Sequence, residues 1–223
     1  ETFNPDFGAT NSKNRWLMAY SQKLTDNINP QVLLYKQDGQ AAQVGLNVTA
    51  LANNATVLHL EWAGGLSPTL LAQALQNSSS RGFHNRLSTG LTYATENKLT
   101  LVAEYQLNDA ALDKNEWHNL GQVSLPAYAR YRSWLQTYQE PATKQGALLY
   151  ATWQDAFIPH LDLNSMLRVN LDDQSNLFWV ESRYHLDHAD IALQWQVNRD
   201  NPLSDYGAIP FRQSFKLMLR QYF

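Results

Sequence analysis

The residues with the clearest chemical potential are basic side chains that recur at even spacing. Arg212, Lys216 and Arg220 follow one another at intervals of four near the carboxyl end. Arg168 and Arg183 occupy comparable positions in two segments upstream. A wall of guanidinium and ammonium groups that faces water attracts anionic solutes. The spacing therefore predicts a basic surface, provided that all these side chains share one face.

Carboxylates accompany the basic residues and leave a second interpretation open. Glu181 and Asp162 stand in the same two upstream segments. Opposite charges on neighbouring strands form ladders of ion pairs that hold a sheet together. A structural ladder and an anion-attracting wall are thus both compatible with these residues.

Histidine-containing clusters are the candidates for acid–base or nucleophilic chemistry. The densest is the segment 185–190, with two His and two Asp, and we expect it to form a turn in which Asp accepts backbone hydrogen bonds. His84 and Ser88 share a face of one predicted strand. No carboxylate-rich metal set accompanies them. The sequence therefore predicts no enzyme, metal or cofactor.

The composition excludes several other classes. The 223 residues include no cysteine, so disulfides and thiolate chemistry are excluded. The net charge of -3 gives no reason to expect nucleic acid as a partner. No apolar run approaches the roughly 18 residues of a membrane helix. Because the chain begins at Glu1 without a signal peptide, we expect a processed protein or a fragment.

Apolar and polar residues alternate with period two along most of the chain, which predicts β-strands. Leu99, Leu101, Ala103 and Tyr105, for example, alternate with polar neighbours. Nine such segments lie at 15–24, 43–50, 56–62, 86–93, 98–106, 161–170, 178–187, 190–198 and 211–223, and two weaker ones at 31–36 and 146–157. Short helices are predicted only at 70–75 and within 128–138.

The last strand carries a more specific pattern. Phe215, Leu217, Leu219 and the terminal Phe223 lie on one face. This ending resembles the closing strand of Gram-negative outer-membrane β-barrels, whose terminal Phe is read by the barrel-assembly machinery. The resemblance implies an all-β, transmembrane, antiparallel up-and-down barrel in the bacterial outer membrane, in contact with its lipid and lipopolysaccharide. Aromatic residues near many strand ends fit the interfacial girdles of such barrels.

The lengths of the connections between the predicted strands agree with those of a bacterial barrel, in which extracellular loops are long and periplasmic turns are short. If Phe223 ends in the periplasm, the long connections at 64–81, 108–144 and 199–210 all become extracellular, and the periplasmic turns are short. Residues 1–14 would then form an extracellular loop stub, and residues 15–223 the barrel strands.

The predicted strand number is about eleven, whereas single-chain bacterial barrels have an even number. We expect the chain to be the carboxy-terminal part of a larger barrel, whose other strands are missing or belong to another polypeptide. The alternative is a complete barrel of twelve strands, with the twelfth hidden in 122–139.

The connection 108–144 is too long for a plain turn. It either bends into a pore as a constriction or lid, or packs on its neighbours as a surface loop. Arg130 and Arg132 lie beside aromatic residues and are candidates for binding an anionic sugar or a lipopolysaccharide phosphate.

These observations predict a channel or translocation pore with a polar, slightly basic lumen that passes small or anionic solutes. The alternatives are a barrel scaffold that holds a partner protein, an outer-membrane barrel enzyme, and a soluble carbohydrate-binding β-sandwich. The predicted pore-lining residues are Arg86, Glu104, Arg168, Glu181, Arg183, Arg212, Lys216 and Arg220.

Overall fold

The computed structural model describes residues 13–77 and 81–222. Most of the predicted loop stub at 1–14 lies outside these residues, and so does Phe223. The outcomes for the remaining predictions follow from the described part of the chain.

The strands form one antiparallel sheet in which every strand pairs with its neighbours along the chain. This up-and-down order confirms the predicted fold class, including the two weaker strands. The eleven strands are β1 Arg15–Ser21, β2 Ile28–Gln37, β3 Gln43–Asn53, β4 Thr56–Ser67, β5 Gly82–Ala94, β6 Leu99–Asn108, β7 Gln145–Trp153, β8 Leu161–Asn170, β9 Asn176–His185, β10 Ala189–Arg199 and β11 Gln213–Gln221.

Three helices lie in the long connections at one end of the sheet: α1 Leu70–Leu75, α2 Lys114–Val123 and α3 Leu125–Tyr138. The predicted helices are confirmed as α1 and as part of α3, but the prediction that no others form is wrong, because α2 lies outside both predicted ranges. A twelfth strand in 122–139 is wrong, because Ser124 ends α2 and caps α3, and its side chain accepts from Ala127 N. Among the described residues, no helix is long and apolar enough to cross a membrane, a result that does not bear on β-barrels.

Local capping explains why residues 114–123 leave the strand pattern. The side chain of Asp113 accepts hydrogen bonds from the backbone N–H groups of Asn115 and Glu116. Glu116 Oε2 accepts in return from Asp113 N at 2.9 Å, which completes a capping box. The hydrogen bond from the Glu116 N–H to the charged carboxylate is the main cause that lowers the pKa of Asp113, and that from the Asn115 N–H adds to it.

Strand register separates two faces of the sheet. Leu193 lies opposite Leu217, and the next residue on each strand places Gln194 opposite Lys216. The apolar face is not covered by the described residues: Phe215 is 65% exposed and Leu217 is 75% exposed. A β-sandwich would cover this face with a second sheet, so the sandwich alternative is wrong for this part of the chain. Transfer of each large side chain on this face from water to an apolar medium would be favourable by about 1.5–3 kcal/mol.

Aromatic residues form a row across the last three strands on the apolar face. The rings of Trp195 and Phe215 stack with centroids 5.9 Å apart, and Phe178 meets Trp195 edge-on at 6.1 Å. Tyr184 lies on the same face nearer the other end of β9. This placement agrees with the girdles of a membrane barrel.

The dry core of the chain lies beyond the sheet, among the long connections. It forms around Leu70, Trp117 and Tyr131, and Leu203 from the last connection packs against it. We call the described residues 68–77, 109–144 and 200–212 of the three connections the loop cluster.

Residues 217 and 218 provide a direct test of the two faces. We expect Leu217→Arg to destabilise the protein by about 2–4 kcal/mol, because it places a charge in the apolar layer near mid-strand. Met218→Arg, one residue later on the polar face, should change the free energy of unfolding much less. Urea unfolding in lipid vesicles, followed by tryptophan fluorescence, measures both. Equal destabilisation by the two variants would contradict this assignment of faces.

Candidate functional site

The polar face of β8 to β10 contains a buried carboxylate with several donors. Glu181 is 5% exposed and accepts hydrogen bonds from Arg183 Nε at 3.1 Å and Gln194 Nε2 at 2.6 Å. Asn164 Nδ2 approaches the same carboxylate at 3.5 Å. Arg183 also donates to Asp190 at 3.4 Å. Arg183 and Glu181 therefore belong to a structural ladder, as one of the two interpretations predicted.

His185 extends this network across the turn end of the sheet. Its Nδ1 lies 2.9 Å from Asp190, and its Nε2 lies 3.1 Å from Asp162. The hydroxyl of Tyr222 donates to Asp190 at 2.6 Å, so residues from β8, β9 and β10 and from just beyond β11 are joined. The densest titratable cluster of the sequence thus connects neighbouring strands.

His84 and Ser88 share the polar face of β5 but do not act on each other. His84 Nδ1 lies 3.1 Å from Asp109, whereas the Ser88 hydroxyl donates to Glu104 at 2.9 Å. Glu104 is therefore held by β5, and His59 approaches it at 3.8 Å. The arrangement lacks the Ser–His hydrogen bond that nucleophile activation requires.

The predicted basic residues divide into two groups. Arg86 and Arg183 are ion-paired, with Glu140 and with Glu181 and Asp190 respectively. Arg168, Lys216 and Arg220 are exposed and form no ion pair with a described carboxylate. Register places Lys216 and Arg220 on the same face as Arg183.

Arg212 falls just before β11, so it is not part of the paired strand. Its carbonyl accepts a hydrogen bond from Asn198 N at 2.8 Å, and its side chain is exposed. The predicted column on the last strand is therefore continuous only over Lys216 and Arg220.

A cleft of about 600 Å³ lies between the loop cluster and the polar face. The sheet contributes Gln106, Leu148 and Arg168, and α3 contributes Arg132 and Leu135. The helices of the connection 108–144 pack on their neighbours, as one of the two predicted arrangements requires, and the carboxyl end of α3 borders the polar face. A role as constriction or lid of a pore stays a prediction.

The guanidinium group of Arg132 forms its hydrogen bonds with other residues of the loop cluster. It donates to the carbonyls of Ser204 and Asp205, each at 3.1 Å, and lies over the ring of Tyr128 at 5.7 Å. Arg130 is exposed on the same helix. Binding of an anionic sugar or lipid phosphate by this pair remains a prediction.

Two ionisable groups beside the cleft are altered by burial. Burial raises the pKa of the Asp205 carboxyl, although Asn170 Nδ2 donates to it and Arg132 lies nearby. Burial also raises the pKa of Tyr206 to about 12, so its hydroxyl stays neutral near pH 7. Arg168 is the exposed charged residue that the strands contribute to the lining of this cleft.

Sequence reasoning missed a set of buried asparagines where the strands meet the loop cluster. Asn108, Asn170 and Asn198 lie at or next to the ends of β6, β8 and β10, and all are buried. Asn170 Oδ1 accepts from Thr143 Oγ1 and from two backbone N–H groups that follow it. Asn at the same end of alternate strands was the available sequence signal.

Comparison with solved structures places this sheet among known proteins. The chain is similar to Pseudomonas aeruginosa OccK8 (OprE), with 10% identity and a TM-score of 0.51, over 93% of this chain and 57% of that one. It is also similar to Pseudomonas aeruginosa OccK5 (OpdH), with 14% identity and a TM-score of 0.50, over 84% and 53%. Both are outer-membrane porins.

The chain has the fold of an outer-membrane porin barrel. It spans little more than half the length of these two porins, and at such identities the likeness concerns the fold alone. No protein-family model matches the chain, and no curated protein matches it. The prediction of a Gram-negative outer-membrane β-barrel from the closing strand is confirmed at this level. The pore-lining roles and the sidedness of the porin-like barrel remain predictions.

Trp117 should control the stability of the loop cluster and, through it, the wall of the cleft. It is 3% exposed and its Nε1 donates to Asp173 at 3.0 Å. We expect Trp117→Ala to destabilise the cluster by about 3–5 kcal/mol, because it leaves a cavity and removes the hydrogen bond to Asp173. Trypsin cleavage at 109–144 in membrane vesicles should accelerate, while the sheet stays folded. Val123→Ala, at a residue that is 84% exposed, is the matched control. Equal cleavage rates for the two variants would refute this role of Trp117.

Proposed function

We propose that this protein forms part of the wall of a solute channel in the bacterial outer membrane. The observation that carries the proposal is the two-sided sheet: an uncovered apolar face lies opposite a charged face that borders an open cleft. Charges cost little on a face that meets water, whereas they would be prohibitive in a dry core. In this proposal the apolar face contacts membrane lipid and lipopolysaccharide, the terminal strand is read by the assembly machinery, and the loop cluster is extracellular.

The lumen is proposed to favour anions modestly. Arg168, Lys216 and Arg220 are exposed basic residues of the polar face that form no ion pair with a described carboxylate. Arg86 and Arg183 contribute less net charge, because acidic partners lie beside them. Unpaired basic groups along a path raise the local concentration of anions.

A scaffold that holds a partner protein is the second candidate, and the unpaired sheet edges described below favour it. A barrel filled by a partner would not conduct, so conductance distinguishes the two functions. For barrel enzymes the described residues offer weaker support, since the His84 and Ser88 side chains engage different carboxylates.

Conductance and ion selectivity test the channel. The full-length protein, purified from outer membranes, should conduct in planar bilayers, and Arg168→Glu should shift the reversal potential in a KCl gradient towards cation preference. Arg168→Lys keeps the charge and serves as the control. Absence of conductance at every voltage would overturn the channel, and an unchanged reversal potential in Arg168→Glu would overturn the role of Arg168.

We further propose that other strands complete the barrel. Among the described residues β1 pairs only with β2, and β11 only with β10, so each has a free edge. Unpaired backbone groups are too costly in a lipid layer, and the cylinder must therefore close. The 11 strands alternate in direction, so β1 and β11 run parallel. Antiparallel closure then requires an odd number of further strands, from another segment or another polypeptide.

Disulfide trapping tests this closure, since the chain has no native cysteine. Leu193→Cys with Leu217→Cys, at opposite positions on β10 and β11, is the positive control. Met18→Cys with Leu217→Cys should not cross-link, because intervening strands separate β1 from β11. Efficient cross-linking of Met18→Cys with Leu217→Cys would mean that the sheet closes on itself, and would contradict the proposed additional strands.

A further inference from the structure

One ion pair holds the loop cluster to the polar face between two separate clefts. Arg86 Nη2 lies 2.8 Å from Glu140 Oε1, and Asn108 Nδ2 donates to Glu140 Oε2 at 3.2 Å. Arg86 and Asn108 are direct partners across β5 and β6. Both carboxylate oxygens of Glu140 are therefore engaged by one cross-strand pair, which fixes where the loop meets the wall.

The backbone around Glu140 is held independently of this pair. Gln139 ends α3 in the left-handed conformation with φ 56°, and the N–H of Glu140 donates to the carbonyl of Leu135 at 3.1 Å. The hydroxyl of Tyr131, which is fully buried, donates to the carbonyl of Ala142 at 3.2 Å. Glu140 is thus presented from a rigid support, so its loss need not unfold the cluster.

The pair also lies at the boundary of two openings on the polar face. Glu140 and Asn108 line the cleft of about 600 Å³ described above. Glu140 and Arg86 line a second cleft of about 460 Å³, which extends along β3 to β5 towards Gln43 and His84. Glu140 is common to both linings, and we call the Arg86–Glu140 pair the divider.

We propose that the divider sets the size limit of the solute path by keeping the two clefts apart. This inference deepens the proposed channel and depends on it. Removing the Glu140 side chain, which borders both clefts, joins them into one wider passage, and removing Arg86 loosens Glu140 and widens the second cleft. Because the narrowest part of the path becomes wider, the single-channel conductance should rise, roughly up to twofold.

Single-channel recording of the full-length protein tests the divider from both sides. Arg86→Ala changes only β5, and Glu140→Ala changes only the loop cluster. Because each removes one partner of the divider, both should raise the conductance and the uptake of larger neutral sugars into liposomes. The exchange Arg86→Glu with Glu140→Arg rebuilds an ion pair and should return the conductance towards that of the unmodified protein. Asp155→Ala is the control, since it removes an exposed ion pair with Lys98 at the opposite end of the sheet.

The outcomes separate this inference from the proposed function. If the unmodified protein conducts and Arg86→Ala leaves both conductance and sugar uptake unchanged, the divider is refuted while the channel stands. If the charge exchange conducts as strongly as Glu140→Ala, the pair does not set the size limit and the inference is also refuted. If the unmodified protein does not conduct, the channel itself fails. Trypsin resistance of α2 and α3 in each variant confirms that a change in conductance does not come from unfolding of the loop cluster.

Discussion

The structure depends on one constraint: a single-layer sheet must satisfy two different media with alternate side chains of the same strands. Leu217 and Lys216 are neighbours in sequence, yet register directs them to opposite faces. A shift of one residue in pairing would exchange the faces along an entire strand. Cross-strand contacts on both sides, such as Trp195 with Phe215 and Glu181 with Gln194, therefore fix the register as well as the stability.

The sheet and the loop cluster are stabilised by different kinds of interaction. The sheet relies on backbone pairing and on contacts across its polar face, where Glu181 and His185 join several strands. The loop cluster relies on hydrophobic burial around Leu70, Trp117 and Tyr131. Because these terms differ, the cluster can loosen while the sheet persists, and the two regions should open independently.

Much of the fold was predictable because period-two alternation is a local signal that acts on each strand separately. The segments around Leu99–Tyr105 and Phe215–Leu219 needed no tertiary information. The candidate site was less predictable, because ion pairs such as Arg86–Glu140 join residues far apart in sequence. The basic column was only partly predicted: alternation placed Lys216 and Arg220 correctly on one face, but it carried no information on which arginines would find acidic partners. The placement of Arg212 on the last strand was wrong for another reason, since β11 begins one residue after it.

The buried asparagines at the ends of alternate strands have a consequence for how such a protein diversifies. Asn108 and Asn170 terminate strand pairing and satisfy the first backbone groups of the connection that follows. Each asparagine satisfies the backbone groups at the strand end by itself, so the end of the strand does not depend on one particular connection. We therefore expect insertions and deletions in these segments to leave the strand pairing intact.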